Sequence, residues 1–534
     1  MSGIATHGRH LQNAERDLQF AIRAWAKNVG ANILEVPVQM WDPSENAIVD
    51  CNLSVLDPVS LMSCLWHRGR EVFRKVCFGS MTENDVKAYW KNASERCAWF
   101  QVTENCKNPA KWDRLIPLSL YGDDVNTYRN TEAGAISIIA FCSDFAFGNS
   151  PMLRYMLLTL YSVYMSCQHT YNDILRKVFD RLRLLCDETA GHPWQKEGYS
   201  FCLSAVLGDM KWQNDQYGIH NFRANTPCSL CRACKVAADV RDTIADFRDG
   251  ANHLQTAISH EEYVQQLPQA DLPIPMQFGV RLERFLPDVM HSQLLGTGKC
   301  HNGSALCYLV EAGCFGDFSH GVYEECMQEK LRVAYKRFRS WCRENKLRTV
   351  HPRFTAARLH RKLRSMFPCL SSKAIAGKVV SFWLAHEAHE WAGRPDAEHL
   401  DQVVSCCCFS YCSMLQRMGN YPLLLTQQQA DAIHADGMLH LQAYAYLRAH
   451  SAGIRRGRGK NLWLLLPKHH HCQKMLKTVK KERLNPNQSS LLAAESFVGL
   501  VGKMTRTAHR ATVTLRGIQR YLCVLNIRLR EVAN

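Results

Sequence analysis

Two apolar stretches each end on a carboxylate, and a third acid stands inside a late apolar stretch. This pattern constrains the chain more than any other feature. Asp123 follows residues 114–122, Asp209 follows 201–208, and Glu495 lies within 491–499. A carboxylate at the C-terminal end of a buried strand is held rigidly and can point into a shared cleft. Three such groups can hold two divalent cations, and two cations can cleave and rejoin phosphodiesters.

The chain between the acids reads in order. Residues 114–121 alternate, with Ile116, Leu118 and Leu120 on one face, which predicts a strand. Residues 135–142 are β-branched and aromatic, a second strand. Residues 154–165 are apolar and rich in Tyr and Leu, open to strand or helix. Residues 172–187 carry Ile174, Leu175, Val178, Phe179, Leu182 and Leu185 at helical spacing. Residues 199–207 form a further strand that delivers Asp209 through a glycine. The expected class is α/β: a mixed sheet flanked by helices.

That order resembles the ribonuclease-H-like core of DDE transposases and integrases, and four motifs in sequence make the resemblance specific. Gly208-Asp-Met-Lys-Trp-Gln-Asn-Asp-Gln-Tyr-Gly, followed by Pro227-Cys-Ser-Leu-Cys, looks like the second-aspartate segment of eukaryotic cut-and-paste transposases, the CACTA-like and KDZ-like groups. Leu118-Ser-Leu-Tyr-Gly-Asp-Asp-Val resembles their first-aspartate strand. Phe285-Leu-Pro-Asp-Val-Met-His resembles their [Cys/Asp]-x-x-His motif, and Ala494-Glu-Ser-Phe-Val-Gly resembles their third-acid helix. The resemblance spans roughly 110–300 and 460–525. It implies catalytic Asp123, Asp209 and Glu495 on two Mg²⁺ or Mn²⁺ ions, DNA as partner, a nuclear location, and strand cleavage and transfer. It leaves a homo-oligomer open. The turn reads Gly122-Asp123-Asp124, so either aspartate can be the first ligand; Asp123 aligns with the family's position. A decayed or domesticated relative that binds DNA or protein without catalysis is the alternative, and an unrelated basic helical scaffold is a third.

Other residues carry smaller signals. Asp288 and His291, spaced i, i+3, share a face on a helix and read as a supporting pair or as a buried polar pair. Cys228, Cys231 and Cys234 have zinc-ligand spacing but lack a fourth ligand, which His220 or His291 could supply; a reduced, unligated turn is the other reading. The run 469–471 is three histidines, which read as a polar strand end or, second, as a metal-ligand set. The 24 cysteines are scattered through a long chain, unlike a short secreted disulfide framework. Cys406, Cys407, Cys408 and Cys412 fall in an expected helix, 399–417, as core residues in preference to metal ligands.

The net charge is +16, from 65 Lys+Arg against 49 Asp+Glu, which favours an anionic partner. The surplus gathers in 330–378, where Lys336, Arg337, Arg339 and Arg343 interleave with Tyr335, Phe338 and Trp341. It gathers again at Arg455, Arg456, Arg458 and Lys460, and in 474–483. Such clusters read as phosphate contacts or as solvated helix faces. No apolar run is long enough to span a bilayer, and the first ten residues lack a signal core.

The expected organisation is a mostly helical region 1–110, with helix starts at Asp57-Pro58 and Thr82. A core follows over 111–291. An all-helical insertion covers 292–460, with helices at 321–345, 356–367, 371–391, 398–418 and 427–450. The core returns over 461–534, with an edge strand at 462–470 ended by Pro467 and a last helix over 509–531.

Overall fold

The computed structural model describes the chain except residues 1–13, 103, 127–134, 147–152, 166–167, 220, 319–320, 453–460, 491, 507, 510–511 and 534. The chain divides into two compact units. One is built from 1–218, 260–286 and 491–534; the other from 219–259 and 287–490. The second unit therefore takes in 219–259 and 461–490 besides the expected insertion, while 260–286 and 491–534 belong to the first.

The first unit holds both sheets. Strands β1 (Ile33–Asp42) and β2 (Ala47–Leu56) form an antiparallel hairpin, Ile33 opposite Leu56. The expectation of a mostly helical 1–110 overlooks this hairpin. The β1 edge is closed by helix Gln168–Cys186, because the Asp173 carboxylate accepts from Gln39 N (2.9 Å) and the Thr170 hydroxyl from Trp41 N (2.9 Å). The two expected helix starts are present. Asp57 caps Pro58–His67, and Thr82 and Asp85 make a reciprocal capping box at Glu83–Arg96.

The main sheet contains β3 (Leu115–Asn126), β4 (Ala135–Ser143), β5 (Tyr155–Tyr161), β6 (Ser200–Gly208) and β7 (Phe285–Pro287), in the order β5-β4-β3-β6-β7. The β3–β4 and β4–β5 pairs are antiparallel and β3–β6 is parallel, so the sheet is mixed. Residues 154–165, open to either state, form β5. Strands β4 and β5 are almost wholly buried, as their continuous apolar runs require.

The register sorts the sheet's two faces. Asp123 lies opposite Ile138, Ile138 opposite Thr159, and Ile136 opposite Tyr161; paired residues share a face. Val513 and Ala508 pack with Ile136 and Tyr161, and Thr159 Oγ1 donates to Val513 O (3.2 Å). Helices Leu492–Thr505 and Val513–Ala533 therefore cover this face, the first packing on β3 and the second on β5. The opposite face carries Gly122 and Asp124. There the Trp212 indole, on helix Met210–Tyr217, covers both Gly122 and Gly208. Tyr171 meets that indole edge-on at 5.9 Å.

A buried ion pair ties β7's approach to the sheet. Arg284 reaches Asp144 at 3.3 Å and donates from Nε to Ser204 O (2.9 Å), and the Ser119 and Ser204 hydroxyls also bond Asp144. Burial pushes the Asp144 carboxyl up; Arg284 and the two serines oppose it.

The second unit is mainly helical. Its helices include Gly298–Glu311, Tyr323–Glu344, Ala374–Ala392, His399–Asn420, Gln427–Ala452 and Pro467–Glu482. Two expectations fail here. Residues 356–367 form turns, not a helix, because Arg361 is drawn inside. It ion-pairs with Glu311 (3.2 Å), donates to Tyr323 Oη (3.0 Å) and Asn461 O (3.1 Å), and His360 takes a positive φ of 51°. Residues 462–466 are not a strand, and Pro467 opens a helix, where its missing N–H costs nothing. Among the described residues, no helix is long and apolar enough to cross a membrane.

Three histidines lie fully inside this unit. His301 contacts His440 at 5.2 Å between rings, and His469 stacks near Tyr444 at 4.5 Å. Burial holds all three down, His440 to about 4 and His469 to about 3. Their ordinary value is 6.5, so the unfolded chain takes up protons first as pH falls. Stability is full above pH 6.5 and is lost from there toward pH 4. Each such histidine contributes a slope of up to about 1.4 kcal/mol per pH unit in that window. Thermal unfolding across roughly pH 7.5 to 4.5 should show a fall in Tm, and His440→Gln should flatten it.

Candidate functional site

Asp123 and Asp209 stand at the parallel ends of neighbouring strands. The last β3–β6 pair is Tyr121 with Leu207, and each aspartate lies two residues further on. That even spacing puts Asp123 on the face of Tyr121, whose hydroxyl donates to Asp123 Oδ2 (2.9 Å). Asp209 caps helix Met210–Tyr217, accepting from Trp212 N (2.5 Å), and keeps an extended backbone (φ −69°, ψ 163°). The close approach works because Gly122 and Gly208 leave room for the indole: a Cβ at Gly208 would sit 2.7 Å from Trp212 Cδ1.

Asp124 points to the other face, where the Ser137 hydroxyl donates to it (2.5 Å). Burial raises its carboxyl most, and the negative charges of Asp209 and Asp215 raise it further; Ser137 and Lys211 oppose this. Lys211 is itself raised, chiefly by its bond to Asp215 (2.9 Å), with Asp124 and Asp209 adding to the effect. Glu495 lies on helix Leu492–Thr505, which packs on β3, on Asp123's side of the sheet; its side chain lies outside the described residues. The first unit thus brings a cluster of acids to the C-terminal edge of β3 and β6.

The remaining expected residues lie in the second unit. Asp288 is buried and accepts from Met290 N (2.9 Å), His291 N (2.8 Å) and His291 Nδ1 (2.5 Å), so the pair forms one fixed group. It stands at the start of a π-helix, Met290–Thr297, whose His291 carbonyl accepts from Lys468 Nζ (2.9 Å).

The basic helix Tyr323–Glu344 separates its cations by face. Arg332, Lys336, Arg339 and Arg343, spaced four, three and four apart, line a groove of about 1010 Å³ with Arg353, over Tyr335 and Phe354. Arg337 turns away, to Glu387 (3.4 Å) and over the Phe315 ring (5.3 Å), so it is a packing residue and not part of the groove. Arg361 and Arg364 serve Glu311 in the same sense. The cluster Arg455, Arg456, Arg458 and Lys460 lies outside the described residues.

The described residues contain two Cys/His groups that could hold a metal: Cys228, Cys231 and His470, and His301, Cys407 and His440, all buried. In the first, Cys231 Sγ lies 3.2 Å from His470 Nε2. The Cys228 hydrogen bond and His470 pull the Cys231 thiol down, while its bond to Cys231 and burial push the Cys228 thiol up. Cys234 is not in the group; its Sγ meets Arg232 O at 3.5 Å. His220 lies outside the described residues, and His291 is engaged by Asp288. His469, His470 and His471 sit in a helix, not at a strand end. The link from Cys231 to His470 crosses 239 positions, beyond any local spacing; the only local signal was three histidines opening a helix. The helical setting expected for Cys407, Cys408 and Cys412 is present, and all three are buried.

No family model matches the chain, and a search of curated proteins finds no match.

The glycine beneath Trp212 gives a direct test of this edge. Gly122→Ala should cost about 1–3 kcal/mol, because the indole cannot move without breaking its packing against Tyr171. Gly499→Ala, whose Cβ would meet nothing within 4 Å, should be neutral or slightly stabilising. Paired denaturant titrations decide it.

Proposed function

We propose that the first unit is a ribonuclease-H-like DDE core and that the protein is a transposase-type DNA recombinase or nuclease. The observation that carries this reading is the register of β3 and β6, which brings Asp123 and Asp209 to neighbouring strand ends, with the Glu495 helix packed on β3. The strand order β5-β4-β3-β6-β7, with helix Gln168–Cys186 between β5 and β6, supports it.

The donors suit a hard divalent cation: Asp123 and Asp209 offer carboxylate oxygens at neighbouring strand ends. Asp123, Asp209 and Glu495 would hold Mg²⁺ or Mn²⁺, which activates the attacking oxygen and stabilises the leaving one. Asp123 is the first ligand in this reading, since Asp124 is spent on Ser137 across the sheet. Tyr121 fixes the Asp123 carboxylate, and the strand backbone and the Trp212 N–H fix Asp209. Zinc belongs with the Cys228, Cys231 and His470 group as a structural ion. The groove of Arg332, Lys336, Arg339, Arg343 and Arg353 would bind the phosphate backbone without reading sequence.

One observation favours the binding-only relative. Lys211 brings a resident cation into the field of Asp124, Asp209 and Asp215, and a resident cation competes with metal.

Cleavage of DNA in Mn²⁺ separates these readings. Asp123→Asn, Asp209→Asn and Glu495→Gln should each abolish it, with DNA still retained, while Asp124→Asn should keep it. Equal cleavage by the Asp209 variant overturns the enzyme reading. DNA retention without cleavage by any form selects the binding-only relative. Retention itself should fall with salt. Replacing Lys336, Arg339 and Arg343 by Ala should lower the log–log salt slope by about 0.9 for each phosphate no longer neutralised, and Arg337→Ala should leave it nearly unchanged. A flat salt dependence favours the unrelated scaffold.

A further inference from the structure

Residues 219–259 hold little regular structure. Among the described residues it is limited to short 3₁₀ turns at Val240–Asp242 and Asn252–Leu254 and to two isolated bridges, Cys231 with Ala257 and Cys234 with Thr243. Their local core is Cys228, Cys231, Ala233 and Ile244, with Leu230 against it. Ile219, Phe247 and Ala251 are buried as well, but a segment this poor in regular structure gains from a further fastening.

The fastening residues are in place. The Cys228 and Cys231 sulfurs and a His470 ring nitrogen lie within 4.8 Å of one another, all buried. Nδ1 of His470 is buried and has no hydrogen-bond partner. Beside them is His253, 1 % exposed, its ring 4.8 Å from that of His470. Gln473 settles its tautomer. The Gln473 amide donates to Asp246 O (3.4 Å), which leaves its oxygen to accept from His253 Nε2 (2.9 Å). His253 therefore carries its proton on Nε2 and presents a bare Nδ1, also buried without a partner. A metal-bound histidine is oriented this way, one ring nitrogen donating to a carbonyl and the other left for the ion.

We infer that Cys228, Cys231, His253 and His470 form a tetrahedral zinc site that fastens residues 219–259 to helix Pro467–Glu482. His253 stands outside the 4.8 Å group of Cys228, Cys231 and His470, so as the fourth ligand its side chain has to turn toward them. Two thiolates neutralise Zn²⁺, so the closed centre is uncharged and tolerates burial. Both cysteines bind as thiolates, so zinc binding is accompanied by proton release. Lys474, one turn beyond His470, favours both thiolates. Cys234 is left out because it is partly exposed and turned to the Arg232 carbonyl. The site is independent of the DNA reading, since its ligands are soft and none is a strand-end acid.

Metal content of the purified full chain, dialysed in Mg²⁺ buffer, is the test. About one zinc per chain is expected, the stoichiometry of a closed four-ligand site. Cys228→Ser and His470→Ala should lose it, and His253→Ala should weaken zinc at least about tenfold. Cys234→Ser should keep zinc and stability. Because a ligand variant can simply misfold, Co²⁺ in the unmodified chain supplies a second reading: a tetrahedral spectrum with charge transfer from two thiolates. Limited proteolysis should then cut within 219–259 only after chelation. Absence of zinc, or a Co²⁺ spectrum without thiolate bands, overturns the site. Three-thiolate intensity, with zinc lost in Cys234→Ser and kept in His253→Ala, overturns the assignment of His253.

Discussion

The parallel pairing of β3 with β6 is the constraint on which the first unit rests. A parallel pair cannot be closed by a turn; it needs a crossover, here β4, β5 and helix Gln168–Cys186. Once made, it brings two strand ends to one edge, and the aspartates beyond Tyr121 and Leu207 follow without further instruction. Gly122 and Gly208 let Trp212 close over that edge from one side, while the C-terminal helices occupy the other. Any side chain at Gly122 would push the indole, and with it the helix that Asp209 caps.

The same pairing explains why adjacent acids have different fates. Asp123 and Asp124 are chemically identical, but a strand turns successive side chains to opposite faces. Asp123 meets the Tyr121 hydroxyl on the side of the Glu495 helix; Asp124 meets Ser137 on the side of Trp212. The Gly-Asp-Asp motif leaves both open as ligands. The period of the strand separates them.

What could be read from the sequence was local periodicity and local chemistry. Alternation in 114–121 and the apolar run 199–207 identified β3 and β6, and Asp57 and Thr82 announced their helices through capping side chains. The failures share a cause: the deciding partner was distant in sequence. Leu359, Leu363 and Phe367 have helical spacing, yet Arg361 between them answers to Glu311, Tyr323 and Asn461 and bends the chain into turns. The 462–466 run looks like a strand, but among the described residues no edge pairs with it, and Pro467 serves the helix after it. The hairpin Ile33–Leu56 escapes a local reading although its pattern is strand-like, because its edge is stabilised by Thr170 and Asp173. In the basic helix the sign of the charge was legible and its partners were not, so Arg337 looked equivalent to Arg339 until Glu387 claimed it.

The donors of the two units divide by hardness. The strand-end cluster in the first unit is carboxylate, matched to oxygen-seeking ions that exchange easily. The buried groups of the second are thiol and imidazole, matched to zinc and to tight, slow binding. Asp209 is exposed enough to keep water around it, and Cys231, His253 and His470 are enclosed. A chelator of modest strength would thus strip any hard ion from the acidic edge long before a soft ion from the Cys/His group. Treating the chain in steps, first to remove hard ions and then soft ones, should separate an effect at the strand-end acids from a change in folding.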